Sequence, residues 1–266
     1  MRSVAVVSLW LVVIAPLAFS CTGVVIAQDD LVLVGGNEDW VRWDSYLWAT
    51  APSAGRAYGV VYFGYEIRGE WGHRYNFWYE FHGINDQGLY FDSFGAPCDF
   101  PESTMENPRR GAHLVVDAME QCSTVEEAVA LFESSNLEFM QCQQYLFVDR
   151  HGNAAVVEGD HTIWMDGDTF ALTNFYLSDP SLGGYPCSRY SKVTAMMKYD
   201  ATPSVARIAQ LLEAASHEGT RYSLICNLTE GIIQVSYAHN FNHLVTLDVE
   251  DLCRDGQERI SVPDLF

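Results

Sequence analysis

The clearest structural signal in the chain is the stretch CTGVVIAQDDLVLVGGNEDW, residues 21–40. It contains two runs rich in β-branched residues, joined at Asp29 and Asp30, which are residue types that favour tight turns. The pattern predicts a β-hairpin. The hairpin begins with Cys21, a single cysteine at the end of an apolar leader. This cysteine is therefore a lipid attachment site, half of a disulfide, or a nucleophile that becomes accessible when the leader is removed.

The leader has the layout of a secretory signal peptide. A charge at Arg2 is followed by an apolar run and then by small residues just before Cys21. We expect residues 1–20 to be a signal peptide and residues 21–266 to form a single globular domain, secreted or periplasmic, that begins with Cys21. The apolar run is slightly short for a bilayer span, so no membrane span is expected. Lipid attachment is the weaker alternative, because Phe19 is bulky where a small residue is usual.

The chain is strongly acidic, with a formal net charge of -20 at pH 7 and a hydrophobic content of 48%. This charge argues against nucleic acid and anionic lipid as partners. No pair or cluster of cysteines and histidines has the spacing of a zinc site, so no metal is expected. The chain has seven cysteines, and in an exported protein six could form up to three disulfides and leave one thiol unpaired. The cysteines we expect to be structural are Cys122, Cys142, Cys187, Cys226 and Cys253.

The order of predicted elements is β-rich, two helices, β-rich, two helices, β-rich. Helices are predicted at 111–121, from Ser123 onward, at 188–199 and at 203–217, the last with Thr202 as its N-cap. Strands are predicted at 21–28, 31–40, 58–66, 75–82, 88–94, 144–149, 154–159, 162–166, 170–175, 221–228, 231–237 and 243–249. This order predicts an α+β, four-layer αββα sandwich, in which helix pairs cover two stacked, mainly antiparallel sheets.

A cysteine at a mature N-terminus can supply two catalytic groups. Its α-amine has a pKa near 8, so part of it is neutral at ordinary pH and lies within a few ångströms of its own thiol. The amine could take the thiol proton, and the thiolate could then attack an amide carbonyl. Such chemistry also requires an oxyanion hole and a group that orients the amine.

Several segments resemble the choloylglycine hydrolase family of N-terminal nucleophile hydrolases, which includes penicillin V acylases and bile salt hydrolases. CTGVV followed by GGNEDW resembles the family's opening segments, and GINDQGLYFDSFGAP, ALTNFY and CSRYSKV resemble later ones in the same order. The resemblance covers roughly residues 21–237. It implies an αββα fold, hydrolysis of a linear C–N amide, and no metal or organic cofactor.

The resemblance also implies roles for individual residues. Cys21 would be the nucleophile, and Asp39 would hold its amine. Asn174 would offer its side-chain amide to the oxyanion, Arg189 would support the nucleophile electrostatically, and a backbone N–H near Gly95 would be the second oxyanion donor. Without the resemblance, Asp39 would read as a strand-end acid, Asn174 as a loop asparagine and Arg189 as a surface residue.

One position departs from the family pattern, because Gly36 stands where the family has an arginine beside the nucleophile. Either Arg189 compensates for this loss or the site is altered. The chain also lacks the length of bile salt hydrolases, which implies shorter substrate loops. The candidates for an apolar acyl-binding wall are the aromatic residues Trp78, Tyr79, Tyr90 and Phe175.

The sequence therefore predicts an exported N-terminal cysteine amidohydrolase that cleaves a small N-acyl compound through a thioester. Penicillin-like amides, N-acyl amino acids, N-acyl homoserine lactones and conjugated bile acids remain open as substrates, and so does assembly into a homo-oligomer. The alternatives are a lipid-anchored binding protein with the same fold and no turnover, supported by Gly36, and an acyltransferase that passes the acyl group to an amine.

Overall fold

The computed structural model describes residues 21–40, 44–67, 77–99 and 101–266. The predicted signal peptide, residues 1–20, lies outside the described residues. The strands are β1 Thr22–Gln28, β2 Leu31–Asp39, β3 Tyr46–Thr50, β4 Val60–Ile67, β5 Phe77–Asn85, β6 Tyr90–Gly95, β7 Gln143–Val148, β8 Ala154–Glu158, β9 His161–Trp164, β10 Thr169–Leu172, β11 Thr220–Asn227, β12 Ile232–Tyr237, β13 Val245–Asp248 and β14 Gln257–Ser261. The helices are α1 Leu114–Gln121, α2 Val125–Glu133, α3 Ser188–Tyr199, α4 Val205–Ala215 and α5 Val249–Asp255.

The strands form two sheets with antiparallel pairing throughout. One sheet has the order β10-β1-β2-β11-β12-β13, and the other has the order β14-β3-β4-β5-β6-β7-β8-β9. The predicted hairpin β1–β2 is confirmed and lies inside the first sheet, where both of its strands are paired on both sides. It turns at Asp29, which has a positive φ of 52° that a short polar side chain tolerates. The first described residues of the chain are therefore held at the centre of a sheet.

Three apolar clusters define the layers. The largest lies between the two sheets and includes Cys21, Phe63 and Leu224. A second cluster joins α1 and α2 to the outer face of the eight-stranded sheet, and a third joins α3 and α4 to the outer face of the six-stranded sheet. Each helix therefore buries one apolar stripe against a sheet, as an amphipathic helix requires. The predicted αββα sandwich is confirmed.

The element boundaries differ from the prediction in several places. Helix α2 has Thr124 as its N-cap, one residue after the predicted start, and the Thr124 hydroxyl accepts from the backbone N–H of Glu127. Helix α4 has Ser204 as its N-cap in place of Thr202, because the Ser204 hydroxyl accepts from the N–H of Arg207. Strand β3, helix α5 and strand β14 were not predicted. The helix–strand pair α5–β14 follows β13 and brings the end of the chain onto β3, where β14 forms the edge of the larger sheet.

The sequence allows up to three disulfides, and among the described residues the structure shows one. The structure contains the disulfide Cys98–Cys142, and its free cysteines are Cys21, Cys122, Cys187, Cys226 and Cys253. Of these free cysteines, all but Cys187 are buried, and they pack as small apolar side chains in the core, which is a common role for a cysteine. No helix among the described residues is long and apolar enough to cross a membrane.

Candidate active site

Cys21 lies at the start of β1, facing the space between the two sheets. Thr22 pairs with Asn37 across the hairpin, so Cys21 stands opposite Glu38 on β2. Only 2% of its surface is exposed. Burial, reinforced by the charges of Glu38 and Asp39, raises the pKa of the Cys21 thiol well above its ordinary value. A reactive thiolate at this position therefore requires a proton acceptor or a counter-charge close by.

Arg189, in the first turn of α3, connects the predicted catalytic residues. Its Nη1 donates to the carbonyl oxygen of Cys21 at 2.5 Å and to Oγ1 of Thr22 at 2.8 Å. Its Nη2 donates to Oδ1 of Asn174 at 3.1 Å, and Nη1 lies 3.8 Å from Oδ2 of Asp39. The planar guanidinium suits this arrangement because its N–H groups point in several fixed directions. Three separate segments of the chain, at Cys21–Thr22, Asp39 and Asn174, thus meet at one side chain.

Asp39 ends β2 with a buried carboxylate that has several partners. Thr220, on the neighbouring strand β11, donates a hydroxyl hydrogen bond to Oδ1. His217 places its Nε2 2.9 Å from Oδ2, and the His217 side chain is 41% exposed. The carboxylate is thereby fixed in position directly beside the strand pair that carries Cys21. His217 was not identified from the sequence, because only the β2–β11 pairing brings it to Asp39.

Asn174 follows β10 and bridges to the other sheet. Its Nδ2 donates to the carbonyl oxygen of Gly95 at 2.8 Å, while Arg189 holds its Oδ1. An amide nitrogen carries two hydrogens, so a second donor remains on Nδ2 beside the one that Gly95 accepts. The structure thus brings Asn174 and Gly95, the two predicted oxyanion positions, into direct contact.

A cavity of about 670 Å³ opens next to these residues. Trp40, which follows Asp39, and Gly95, which bonds to Asn174, both line it. Its other walls include the aromatic rings of Tyr79, Phe81 and Phe139. The polar lining groups include Ser93, Glu138, Gln141 and Gln143. The size and the mostly apolar lining fit a small organic molecule with a few polar groups.

Of the four aromatic residues predicted to form an acyl-binding wall, Tyr79 lines this cavity and the other three lie elsewhere. Trp78 points to the opposite face of β5, where the guanidinium of Arg259 lies 4.2 Å from its ring centre. Tyr90 is fully buried between the sheets, with its hydroxyl 3.2 Å from Nδ1 of His82. Phe175 is 2% exposed and packs against the rings of Tyr185 and Tyr190. Residues adjacent in a strand face opposite ways, which separates Trp78 from Tyr79.

The sequence reasoning also missed a buried polar set directly behind Cys21. Oε2 of Glu38 lies 3.8 Å from Sγ of Cys21 and 3.1 Å from Nε2 of His82. The other imidazole nitrogen, Nδ1, lies 3.3 Å from Oδ1 of Asp92. The side chains of Glu38, His82 and Asp92 are fully buried. Burial raises the pKa of Glu38 well above its ordinary value and that of Asp92 to about 8, and it lowers the pKa of His82.

Gly36 explains how this set fits between the sheets. A Cβ atom at Gly36 would lie 2.8 Å from Oδ2 of Asp92, 3.0 Å from Cε1 of His82 and 3.0 Å from the hydroxyl of Tyr90. These distances are too short for ordinary contacts, so the position must lack a side chain. The space in which the resemblance predicts an arginine is filled here by side chains from the facing sheet.

Comparisons with known proteins support the fold. No protein-family model matches the sequence, and no curated protein matches it by sequence. Among solved structures, a conjugated bile acid hydrolase from Clostridium perfringens matches with a TM-score of 0.67 at 17% identity, covering 91% of this chain and 96% of that chain. The penicillin V acylase from Agrobacterium tumefaciens matches with a TM-score of 0.66 at 14% identity, covering 90% of each chain.

A third match is the Caenorhabditis elegans orthologue of N-acylethanolamine-hydrolyzing acid amidase, with a TM-score of 0.53 at 13% identity. It covers 91% of this chain and 100% of that chain. Two of these three proteins are of the kinds named by the sequence resemblance, and all three align along nearly their whole lengths. The chain therefore shares its αββα fold with these three proteins.

Proposed function

We propose that this protein is an exported N-terminal cysteine amidohydrolase that cleaves the linear C–N amide of a small N-acyl compound through a thioester on Cys21. The observation that carries the proposal is the convergence of Cys21, Asp39 and Asn174 on the guanidinium of Arg189. Cys21 is the nucleophile, and Asp39 holds the amine that removal of residues 1–20 uncovers. Asn174 and the backbone near Gly95 stabilise the oxyanion.

The adjoining cavity supports an acyl group that is largely apolar. Its aromatic walls and its volume of about 670 Å³ suit an aryl or alkyl chain, and Glu138, Gln141 and Gln143 supply polar contacts. The similar structures are named as enzymes that act on conjugated bile acids, penicillin V and N-acylethanolamines. For this chain we propose the shared chemistry, an amide between an apolar acyl group and a small amine.

The test is a hydrolysis panel of N-acyl amides with wild-type protein and the Cys21→Ser variant. We expect Cys21→Ser to lose most of the activity and keep its fold, because a hydroxyl is a far weaker nucleophile than a thiol beside so weak a base. An acid-quenched reaction should show the acyl mass on the peptide that contains Cys21. The matched control is Cys122→Ser, which removes a free thiol in the apolar cluster beneath α1 and α2, on the outer face of the larger sheet. Full turnover by Cys21→Ser would disprove the assignment.

The intact mass of the mature protein separates this proposal from the lipid-anchored alternative. A chain that starts at an unmodified Cys21 has the free amine that the proposed chemistry requires. An added diacylglyceryl mass on Cys21 would instead mean that the thiol is blocked as a thioether and cannot act as the nucleophile. Product analysis in the presence of a competing amine then distinguishes hydrolysis from acyl transfer.

A further inference from the structure

Glu38, His82 and Asp92 form a line of close polar contacts from the nucleophile into the core, and its last contact, from His82 to Asp92, is an ion-pair distance without a hydrogen bond. The line runs from Sγ of Cys21 to Oε2 of Glu38 at 3.8 Å, to Nε2 of His82 at 3.1 Å, and from Nδ1 of His82 to Oδ1 of Asp92 at 3.3 Å. Glu38 belongs to β2, and His82 and Asp92 belong to β5 and β6 of the facing sheet. The line therefore crosses the layer between the sheets.

Burying an ionised carboxylate costs free energy unless the carboxylate is paired with an opposite charge and hydrogen-bonded. Two carboxyls facing one imidazole inside an apolar layer favour a total charge near zero. Two carboxylic acids with a neutral imidazole satisfy this condition, and so does one carboxylate with an imidazolium and one carboxylic acid. The two forms contain the same number of protons and differ only in the position of one of them, so the set can move a proton without changing its charge.

We infer that Glu38 is the acceptor of the Cys21 thiol proton, with His82 and Asp92 as positioning residues that keep Glu38 ionisable inside the core. The inference rests on the proposed function, in which Cys21 is the nucleophile. Glu38 is the carboxylate within 4 Å of the sulfur, and its second oxygen, Oε1, has no hydrogen-bond partner in the part of the chain that the structure describes. Glu38 is thus buried beside the reacting atom with a free acceptor.

The proton balance of the reaction can be followed through both steps. The first step starts from the form in which Glu38 is a carboxylate, His82 an imidazolium and Asp92 a carboxylic acid. Cys21 S–H transfers its proton to the Glu38 carboxylate, and the thiolate is then balanced by the His82 imidazolium. The thiolate forms a C–S bond with the acyl carbon, the C–N bond breaks, and the Cys21 ammonium gives a proton to the departing amine. Water then attacks the thioester and returns a proton to the amine, the C–S bond breaks, and the sulfur recovers its proton from Glu38.

Most of the titratable groups around this line stay neutral. The titratable or charged groups that face it from the packed strands are Asp39, Tyr65, Tyr90, Tyr222 and Cys226. Burial raises the pKa of the three tyrosines and of Cys226, so these groups stay neutral. Asp39 is held by Thr220 and His217.

The glycine at position 36 fits the same interpretation. The family that the sequence resembles has an arginine there, beside the nucleophile, whereas this chain has open space that admits His82 and Asp92. A histidine from β5 thereby brings an ionisable nitrogen to the region from which the guanidinium is missing. Unlike a guanidinium, an imidazole can give up or take a proton, so the replacement supplies proton exchange as well as charge.

The experiment measures the alkylation rate of Cys21 by iodoacetamide from pH 5 to pH 9, followed by peptide mass spectrometry on protein with a verified N-terminus. The variants are Glu38→Gln and His82→Gln. The matched control is Glu158→Gln, which changes a buried carboxylate of β8 that accepts from the backbone N–H groups of Leu177 and Ser178. Alkylation of Cys187 in the same molecules serves as an internal reference.

The sign of the change separates two roles for Glu38. If Glu38 is the proton acceptor, Glu38→Gln slows Cys21 alkylation at pH 7 at least tenfold and lowers kcat about 100-fold with little change in KM. If Glu38 is only a neighbouring negative charge, the neutral glutamine makes the thiol easier to ionise, and alkylation becomes faster. Faster or unchanged alkylation in Glu38→Gln overturns the inference, and so does an unaffected His82→Gln variant.

The readout does not depend on knowing the substrate. Failure of the wild-type protein to cleave any amide would contradict the proposed function, whereas slower alkylation in both variants would still support Glu38 as the acceptor. Circular dichroism and the unfolding midpoint establish that each variant is folded. If Glu38→Gln does not fold, His82→Gln decides the question, and an unchanged Cys21 alkylation profile in that variant refutes the relay.

Discussion

Arg189 is the residue that gives the candidate site its geometry. One guanidinium donates to the Cys21 carbonyl, the Thr22 hydroxyl and the Asn174 side chain. Hydrogen bonds from charged donors contribute about 1.5–3 kcal/mol each, more than neutral ones. The side-chain amide of Asn174 is held at both of its polar atoms, because Arg189 donates to Oδ1 and the Gly95 carbonyl accepts from Nδ2. A donor fixed in this way does not have to reorganise when charge develops on a substrate oxygen.

Asn174→Ala tests this donor. We expect turnover to fall by about two to three orders of magnitude, because loss of one preorganised oxyanion donor has an effect of that size. KM should change little, since the ground-state carbonyl carries little negative charge. The measurement is steady-state kinetics on the best amide of the panel, with Asn153→Ala, a turn asparagine far from the site, as the control. A loss below threefold would place the oxyanion donor on another residue.

At the scale of elements, strand β2 packs closely against a layer on each of its two faces. Gly35 faces α4, where a Cβ atom would collide with Ile208, and Gly36 faces the other sheet, where it would collide with Asp92. Successive residues of a strand point to opposite faces, so the two glycines permit close approach on both sides. Helix packing and the polar set behind Cys21 therefore depend on neighbouring positions of one strand.

The substitutions Gly35→Ala and Gly36→Ala form a matched pair. Each adds one methyl group to a tightly packed place and should lower the free energy of unfolding by about 1–3 kcal/mol. Only Gly36→Ala displaces His82 and Asp92, so only that variant should also lose more than tenfold in kcat. Urea unfolding and kinetics measure the two effects. Equal activity in the two variants would mean that the polar set behind Cys21 has no part in turnover.

Features that lie within one element or between neighbouring elements could be predicted from the sequence, and features formed between the two sheets could not. The hairpin, the helix pairs and the αββα layers followed from local patterns and turn residues, and the meeting of Cys21, Asp39, Asn174 and Arg189 followed from motifs in order. The polar set of Glu38, His82 and Asp92 did not, because it forms across two sheets whose stacking no local pattern encodes. The Gly36 departure was visible, but its consequence required the positions of β5 and β6. Strand β14, of sequence QERIS, lacks the apolar alternation that marks longer strands.

At the scale of the whole molecule, a disulfide joins two distant segments of the chain beside the cavity. The disulfide Cys98–Cys142 closes a loop with a sequence separation of 44 and joins the segment after β6 to the start of β7. Cys142 itself lines the cavity. The link restricts the unfolded chain across α1 and α2, and chain-entropy arguments give such a loop about 2–4 kcal/mol of stabilisation.

The double variant Cys98→Ala/Cys142→Ala should therefore unfold at lower urea, with a loss of about 2–4 kcal/mol. A reducing agent should bring the wild-type protein to the same stability and leave the double variant unchanged, because the remaining cysteines are free thiols. Urea titrations with and without dithiothreitol make the comparison. A further loss in the reduced double variant would reveal additional disulfides in solution.

The position of β2 in its sheet also has a consequence for synthesis. The hydroxyl of Ser223 on β11 donates to the side chain of Asn37 on β2 across a separation of 186 residues. Contacts so distant in sequence form slowly, since a long stretch of polypeptide must be ordered before they can be made. The ribosome produces Cys21 and β2 well before β11. A shortened chain that lacks β11 would leave β2 with an open edge that invites aggregation, so the protein cannot acquire a working centre until almost all of it has been translated.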